Sequence, residues 1–230
     1  MRALLLCPCL LCCGVWAEAS GPGEHIVSIE QEPSHRPVFK GASLRVFDAY
    51  FPAGKVSLYH SHTADSVFVC LEGADVASEE PGKPITPRPP ISSGQIYYRP
   101  YAQAPIVHRV KNLSSTSFRI LDIEVLKPLS SSRASLSRLP DGFSIEIDND
   151  RVRVSKIKLD PGQSTGQLEY RGPRLLTTFA NGRLEIAPQS TAKKKIDAVA
   201  GGLIAQEAAS VETITNIGDT PLDLVSLEVK

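Results

Sequence analysis

The chain has 230 residues, and its 25 Lys or Arg residues balance its 25 Asp or Glu residues, giving a formal net charge of zero at pH 7. This balance excludes the basic excess that is typical of nucleic-acid-binding domains. It also excludes a polybasic patch for anionic membranes. The length allows one large domain or two small ones.

The first element is an apolar N-terminal segment. Arg2 precedes a mostly apolar run from Ala3 to Trp16, and small residues follow at Ala17 and Ala19. This order is typical of a secretory signal peptide and is short for a membrane span. We predict that residues 1–19 are the signal peptide, that the mature chain is secreted or periplasmic, and that it has no membrane span. A cytosolic N-terminal strand or an uncleaved anchor is the alternative.

Cysteine usage follows from that prediction. Four of the five cysteines lie in the first 19 residues, so the mature chain would keep Cys70 alone and could form no internal disulfide. Cys70 lies in the apolar run VFVCL, where we expect a small buried hydrophobe rather than a reactive thiol.

Residues 20–41 are rich in Pro, Gly, Ser and Glu, and we predict an N-terminal leader with one short strand in HIVSIE. Its two histidines, His25 and His35, are expected to be exposed, because a mobile leader is a poor place for a preorganised site.

Residues 42–126 contain short runs rich in β-branched and aromatic residues, each bounded by Gly, Pro, Asn or Ser: SLRVFDAYF, VSLYHSH, VFVCLEG, QIYYRP, PIVHRV and FRILDIEVL. Closely spaced short strands predict an all-β sandwich or barrel. The Pro-rich stretch 74–93 interrupts them, and we expect a surface loop or a substrate lid there because proline is excluded from central strands.

The segment 127–142 is polar and rich in Ser and Arg, and is predicted to link two modules, with a short helix allowed in ASLSRL. The strands of residues 143–230 repeat those of the first module. Matching NLSSTSFRILDIEV to NIGDTPLDLVSLEV, and Gly54 to Gly162, sets the alignment. It places Leu168, Tyr170 and Glu212 at the positions of His60, His62 and His108. The second module is therefore predicted to lack a histidine site.

Two histidines two residues apart are the strongest chemical signal. His60 and His62 lie in a strand-like run, and residues i and i+2 of a strand point to the same face. Both imidazoles could then bind one metal ion, together with His108 from a later strand. The alternative is a pair of surface histidines on a polar strand edge.

These residues resemble the two motifs of the cupin superfamily. Gly54, His60, His62 and Gly73 fit the first motif, with Ser66 where that motif has Glu. Gly94, Pro100, His108 and Asn112 fit the second motif, with Ala102 in place of its middle Gly and a longer spacer before the histidine.

The resemblance implies two double-stranded β-helix (cupin or jelly-roll) barrels in tandem, a bicupin. It implies metal ligation by His60, His62 and His108, a structural turn at Asn112, and the loss of the carboxylate ligand. Asp65 could turn inward to replace that ligand; the alternative is a turn residue facing water. Ser66 could hold a metal-bound water.

The expected cofactor is a divalent transition metal, Fe, Mn, Ni, Cu or Zn, and the expected partner is a small-molecule ligand or substrate, with a homodimer allowed. One function that fits is a metal-dependent oxygenase (a non-haem dioxygenase) acting on a small organic molecule. The alternatives are a non-catalytic metal-binding or small-molecule-binding protein and a structural barrel with relic histidines.

Overall fold

The computed structural model describes residues 25–127 and 142–230. Over these ranges the regular secondary structure consists of β-strands and one turn of 3-10 helix at Ile29–Gln31. This confirms the all-β prediction. No helix in these ranges has the length and apolar character needed to cross a membrane. The predicted signal peptide and the short helix allowed in ASLSRL lie outside the described residues.

The first module contains ten strands arranged as two sheets. In chain order they are β1 (Ile26–Ser28), β2 (His35–Lys40), β3 (Leu44–Phe51), β4 (Tyr59–His62), β5 (Asp65–Glu72), β6 (Val76–Glu79), β7 (Thr86–Pro87), β8 (Ile96–Arg99), β9 (Ile106–Asn112) and β10 (Phe118–Val125). One sheet has the order β2-β3-β10-β5-β8 and the other has the order β1-β4-β9-β6-β7.

The second module contains nine strands. They are β11 (Phe143–Asp148), β12 (Val152–Leu159), β13 (Ser164–Tyr170), β14 (Arg174–Thr178), β15 (Gly182–Pro188), β16 (Lys194–Ala198), β17 (Leu203–Gln206), β18 (Ser210–Asn216) and β19 (Leu222–Val229). Its sheets have the orders β11-β12-β19-β14-β17 and β13-β18-β15-β16, which are the orders of the first module without β1. The predicted duplication therefore has the same strand topology in both copies.

A buried asparagine closes the same turn in each copy. The Nδ2 of Asn112 donates hydrogen bonds to the carbonyls of Phe51 and Thr116, at 2.9 and 2.8 Å. Asn216 donates to Leu159 and Thr220 at 3.0 and 2.8 Å. The side chain thus satisfies backbone carbonyls that the turn would otherwise bury without partners.

The two modules pack face to face. The contact is between the sheet β2-β3-β10-β5-β8 of the first module and the sheet β11-β12-β19-β14-β17 of the second. Alternate residues of β3, β5 and β10 join alternate residues of β12, β14 and β19 in one apolar core, which includes Val46, Val69, Ile123, Val154 and Leu227. The other residues of the same strands point into each module. These strands are therefore buried on both faces, which explains their long runs of buried residues.

Two segments differ from the sequence-based expectation. The predicted leader contains the expected short strand, β1, which pairs with β4, but His35–Lys40 also form β2, which pairs with β3. The Pro-rich stretch contains β6, which lies inside a sheet between β9 and β7. The prolines follow β6, and the one within a strand, Pro87, is on the edge strand β7, as the missing N–H requires.

Candidate metal centre

Three predicted histidines meet inside the first module. His60 and His62 point to one face of β4, and strand pairing places His60 opposite His108 of β9. The ring centroid of His108 lies 4.8 Å from that of His60 and 5.0 Å from that of His62, and His60 and His62 are 5.0 Å apart. The structure thus brings together all three residues that the sequence motifs singled out.

A fourth histidine joins them, against expectation. His35 was predicted to be exposed, but it is 6% exposed and its ring centroid lies 4.6 Å from that of His60. One ring nitrogen from each of His35, His60 and His62 can be chosen so that all lie within 4.8 Å of one another. The prediction failed because the segment is held by pairing of β2 with β3 rather than being mobile. His25 is exposed, as predicted.

Each ring has its Nδ1 turned toward an acceptor. The Nδ1 of His60 donates to the carbonyl of Leu58 at 2.9 Å, and that of His108 lies 3.2 Å from the Oγ of Ser78. In the described residues, the buried Nε2 atoms of His60 and His108 have no hydrogen-bond partner. A ring held through Nδ1 with a bare Nε2 is the arrangement found in metal-ligating histidines.

Glu32 fixes the ring of His35. It is 2% exposed and accepts the Nδ1–H of His35 at 2.7 Å. Its oxygens also accept the amides of Ser34 and Leu58 at 2.7 and 3.2 Å. Burial alone would raise the pKa of Glu32, but the hydrogen bond and charge of His35 and the two amides hold it below its usual value. The carboxylate is therefore ionised and positioned to orient the imidazole.

Burial keeps the rings of His60 and His108 neutral. Burial, and then the neighbouring His35, lowers the pKa of His60 from its usual 6.5 to about 3. Burial, and then His60 and His62, lowers the pKa of His108 well below 6.5. Neutral imidazole is the form that binds metal, so these two rings need no deprotonation at neutral pH.

A buried carboxylate that sequence analysis missed lies beside the cluster. Asp122 of β10 is fully buried, and its Oδ2 lies 3.4 Å from the Nδ1 of His62. Neither oxygen has a hydrogen-bond partner among the described residues. An unpaired buried carboxylate is costly unless a cation or a proton accompanies it. The available signal was an Asp in the middle of the apolar strand ILDIEV.

The two candidates for the missing ligand point elsewhere. Ser66 is buried, and its Oγ donates to the carbonyl of Ala64 at 3.3 Å. Asp65 was expected to face water or the metal and does neither. It is 2% exposed, accepts the amide of Ala102 at 2.9 Å and pairs with Arg151 of the second module at 2.8 Å. Packing between the modules therefore determines its role.

Three of the histidines, His35, His62 and His108, line a small cavity. Its volume is about 80 Å³, and its walls include Phe51, Phe68, Tyr97 and Tyr101. The ring of Tyr97 stacks on Phe68 at 4.9 Å, and that of Tyr101 lies 5.0 Å from His62. Tyr97 thus faces in, whereas its neighbour Tyr98 packs against the core between the modules, as the alternation of side chains along a strand requires.

Tyr59 and Arg109 lie on the opposite face of their strands, as strand alternation predicts. The guanidinium of Arg109 lies over the Tyr59 ring at 4.6 Å, and both side chains bond to Glu79. Cys70 is buried, and burial, reinforced by Glu72, raises its thiol pKa to about 12. It is an inert core residue, as expected.

The second module has replaced the histidine at each equivalent position. His60 pairs with His108 across β4 and β9, whereas Leu168 pairs with Glu212 across β13 and β18. Phe143 corresponds to His35, since the two pair with Ile157 and Ala49 respectively. Apolar side chains and one ion pair thus occupy the place of the cluster.

That ion pair is buried. Arg174 and Glu212 are 3% and 2% exposed and meet at 2.7 Å. Tyr170, which stands at the position of His62, shares a 2.9 Å hydrogen bond with Ser226. Polar side chains of this module thus pair with one another where the first module has histidines.

Comparison with known proteins supports the fold. No protein-family model matches the chain, and no curated protein sequence matches it. Among solved structures, AerE from Microcystis aeruginosa is similar with a TM-score of 0.60 and 13% identity, over 86% of this chain and 98% of AerE. A Bacillus subtilis oxalate decarboxylase, described with Mn(II) centres, has a TM-score of 0.56 and 11% identity, over 81% of this chain and 68% of that one.

A cupin 2 conserved barrel domain protein from Leptotrichia buccalis has a TM-score of 0.52 and 10% identity, over 84% of this chain and 87% of that one. At these identities the likeness establishes the fold, and it agrees with the strand order and the two motifs. The chain has two tandem modules of the cupin fold.

Proposed function

We propose that the first module binds one divalent transition metal ion through His35, His60, His62 and His108. The observation that carries this proposal is the shared orientation of the rings: each has Nδ1 facing an acceptor, and the buried Nε2 atoms of His60 and His108 have no partner among the described residues. The neutral rings of His60 and His108 and the buried carboxylate of Asp122, which has no hydrogen-bond partner among the described residues, both favour a cation at this place. The Mn(II) centres of the similar oxalate decarboxylase agree with the proposal.

The finer proposal is an exported enzyme, a metal-dependent oxygenase acting on a small organic molecule. Support for export is the apolar N-terminal segment with its following small residues. When bound, the metal would supply Lewis-acid or oxygen-binding chemistry. The protein's own contribution is to hold four imidazoles, to orient His62 through Asp122, and to exclude bulk water with the aromatic walls.

A non-catalytic metal-binding protein is the second candidate, and the number of histidines favours it if the bound metal is zinc. Zinc in structural sites takes four ligands, so four imidazoles would saturate it and leave no position for a substrate. Six-coordinate ions such as iron or manganese would keep two positions open. The identity of the bound metal therefore discriminates between the two functions.

Elemental analysis of untagged protein tests the proposal. We expect close to one metal ion per chain in the wild type and none in the His60→Ala/His62→Ala variant. Equal metal content in both would contradict the proposed site. Oxygen uptake with diketones, thiols and phenols then tests the enzyme: uptake that the double variant lacks supports an oxygenase, and its absence with iron and with manganese favours the binder.

A further inference from the structure

Two arginines lie at the rim of the histidine cavity. Arg88 follows β7, Arg99 ends β8, and both are exposed residues that line the cavity. The guanidinium of Arg99 lies 5.1 Å from the centre of the Tyr97 ring, and its Nη1 is 3.4 Å from the carbonyl of Tyr98. Among the described residues, neither arginine forms an ion pair with Asp or Glu. The rim therefore carries two positive charges without a carboxylate partner.

Tyr101 lies near both the two arginines and the histidines. Its ring lies 5.0 Å from that of His62, and Arg88 and Arg99 both act on it electrostatically. An aromatic side chain thus lies near both the arginines and the histidines.

The remaining wall is apolar. Phe51, Phe68, Phe118 and Ile120 line it and belong to one buried cluster with Ile91. A volume of about 80 Å³ corresponds to roughly five to eight water-sized spheres. A molecule that fits has a single ring or a short apolar body.

The acidic groups nearby do not neutralise the rim. Glu79 is bound to Arg109 on the other face of its sheet, with two contacts of 2.9 Å. Asp65 is held by Arg151, and Asp122 is buried beside His62 at the far end of the cavity. The cavity therefore combines a cationic rim with an apolar interior.

We propose that this cavity binds a small organic carboxylate, with its anionic group at Arg88 and Arg99 and its apolar body against the phenylalanines. A guanidinium presents parallel N–H donors that match a carboxylate, and the apolar wall favours an organic anion over a hydrated inorganic one. The inference deepens the proposed function, because it names the class of substrate or ligand that this site binds. It relies on the proposed function only for the role of the histidine end of the cavity.

Calorimetric titration of the full chain with benzoate tests the inference, with benzamide as the neutral counterpart and inorganic phosphate as the second anion. We expect benzoate to bind at least tenfold more tightly than either. Arg88→Gln and Arg99→Gln should each weaken benzoate binding by about tenfold to a hundredfold, which is the effect of losing a hydrogen bond to a charged group. Arg183→Gln is the matched control, since Arg183 is exposed in the second module, and it should leave binding unchanged.

Each titration is repeated after metal removal with a chelator, and metal content is measured for each variant. Binding that depends on both arginines and survives chelation supports the inference, even if the chain holds no metal. Binding that chelation abolishes and the arginine variants leave unchanged would overturn it while supporting the metal site. Equal binding of benzoate and benzamide, equal binding of benzoate and phosphate, or no binding would also overturn it.

Discussion

Replacing His35 by phenylalanine is the sharpest perturbation of the proposed centre. Phenylalanine occupies the equivalent register position in the second module at Phe143, so the fold accommodates it there. Glu32 keeps the amides of Ser34 and Leu58 as donors after the change. The variant should therefore fold normally without metal and lose one of four ligands.

The magnitude follows from the role of the ring. Losing a group that merely orients a metal ligand weakens binding about 10–100-fold, so losing the ligand itself should weaken it by at least ~100-fold. At a free metal concentration 100 times the wild-type Kd, binding stabilises the wild type by about 2.7 kcal/mol. The same concentration then equals the variant's Kd, and the stabilisation falls to about 0.4 kcal/mol.

The assay is thermal unfolding by circular dichroism with and without zinc, combined with competition against a chromophoric chelator. The lost 2.3 kcal/mol corresponds to a metal-induced shift in Tm that is smaller by about 5–9 °C. His25→Phe is the control, because His25 is an exposed histidine of the same segment. An unchanged chelator-competition affinity in His35→Phe would refute the reasoning that places His35 among the ligands.

The remaining predictions concern the surroundings of the site and the stability of the fold. Asp122→Asn should weaken metal binding about 10–100-fold without abolishing it, measured by chelator competition, because the group orients His62; no change would contradict that role. Burial would raise the pKa of Asp48, but hydrogen bonds from Arg119 and Arg36 hold it below its usual 3.8. The carboxylate thus stabilises the protein above pH 3.8 and less as pH falls through its lower folded value. Urea unfolding should show Asp48→Asn destabilising by about 1.5–3 kcal/mol at pH 7 and by less at pH 2; an equal loss at both would contradict the sign. Glu212→Gln should destabilise by about 3–5 kcal/mol in the same assay with unchanged metal content, and Arg174→Met/Glu212→Leu should be less destabilising than the single change. A small effect of Glu212→Gln would contradict the buried pair.

Local patterns predicted the parts of the site that lie within one strand or one repeat. The spacing of His60 and His62 determined their common face, because strand alternation is fixed by backbone geometry. The match of NLSSTSFRILDIEV to NIGDTPLDLVSLEV placed Glu212 at the position of His108, and strand pairing agrees. The two motifs are local patterns as well, and they indicated the cupin fold.

Long-range pairing decided the parts that the sequence did not reveal. His35 lies in a Pro-rich segment with little strand character, and its position depends on the pairing of β2 with β3. Asp122 resembles a solvent-facing residue of an alternating strand, yet that strand is buried on both faces because a second module covers it. Asp65 likewise finds its partner, Arg151, in the other module. No local pattern contains these contacts.

X-ray absorption spectroscopy of the zinc-loaded full chain tests the four-histidine centre most directly. We expect four imidazole nitrogens at about 2.0–2.1 Å, the usual zinc–nitrogen distance, and three in His35→Phe. A zinc ion surrounded mainly by oxygen, or an identical spectrum in the variant, would contradict the proposed centre.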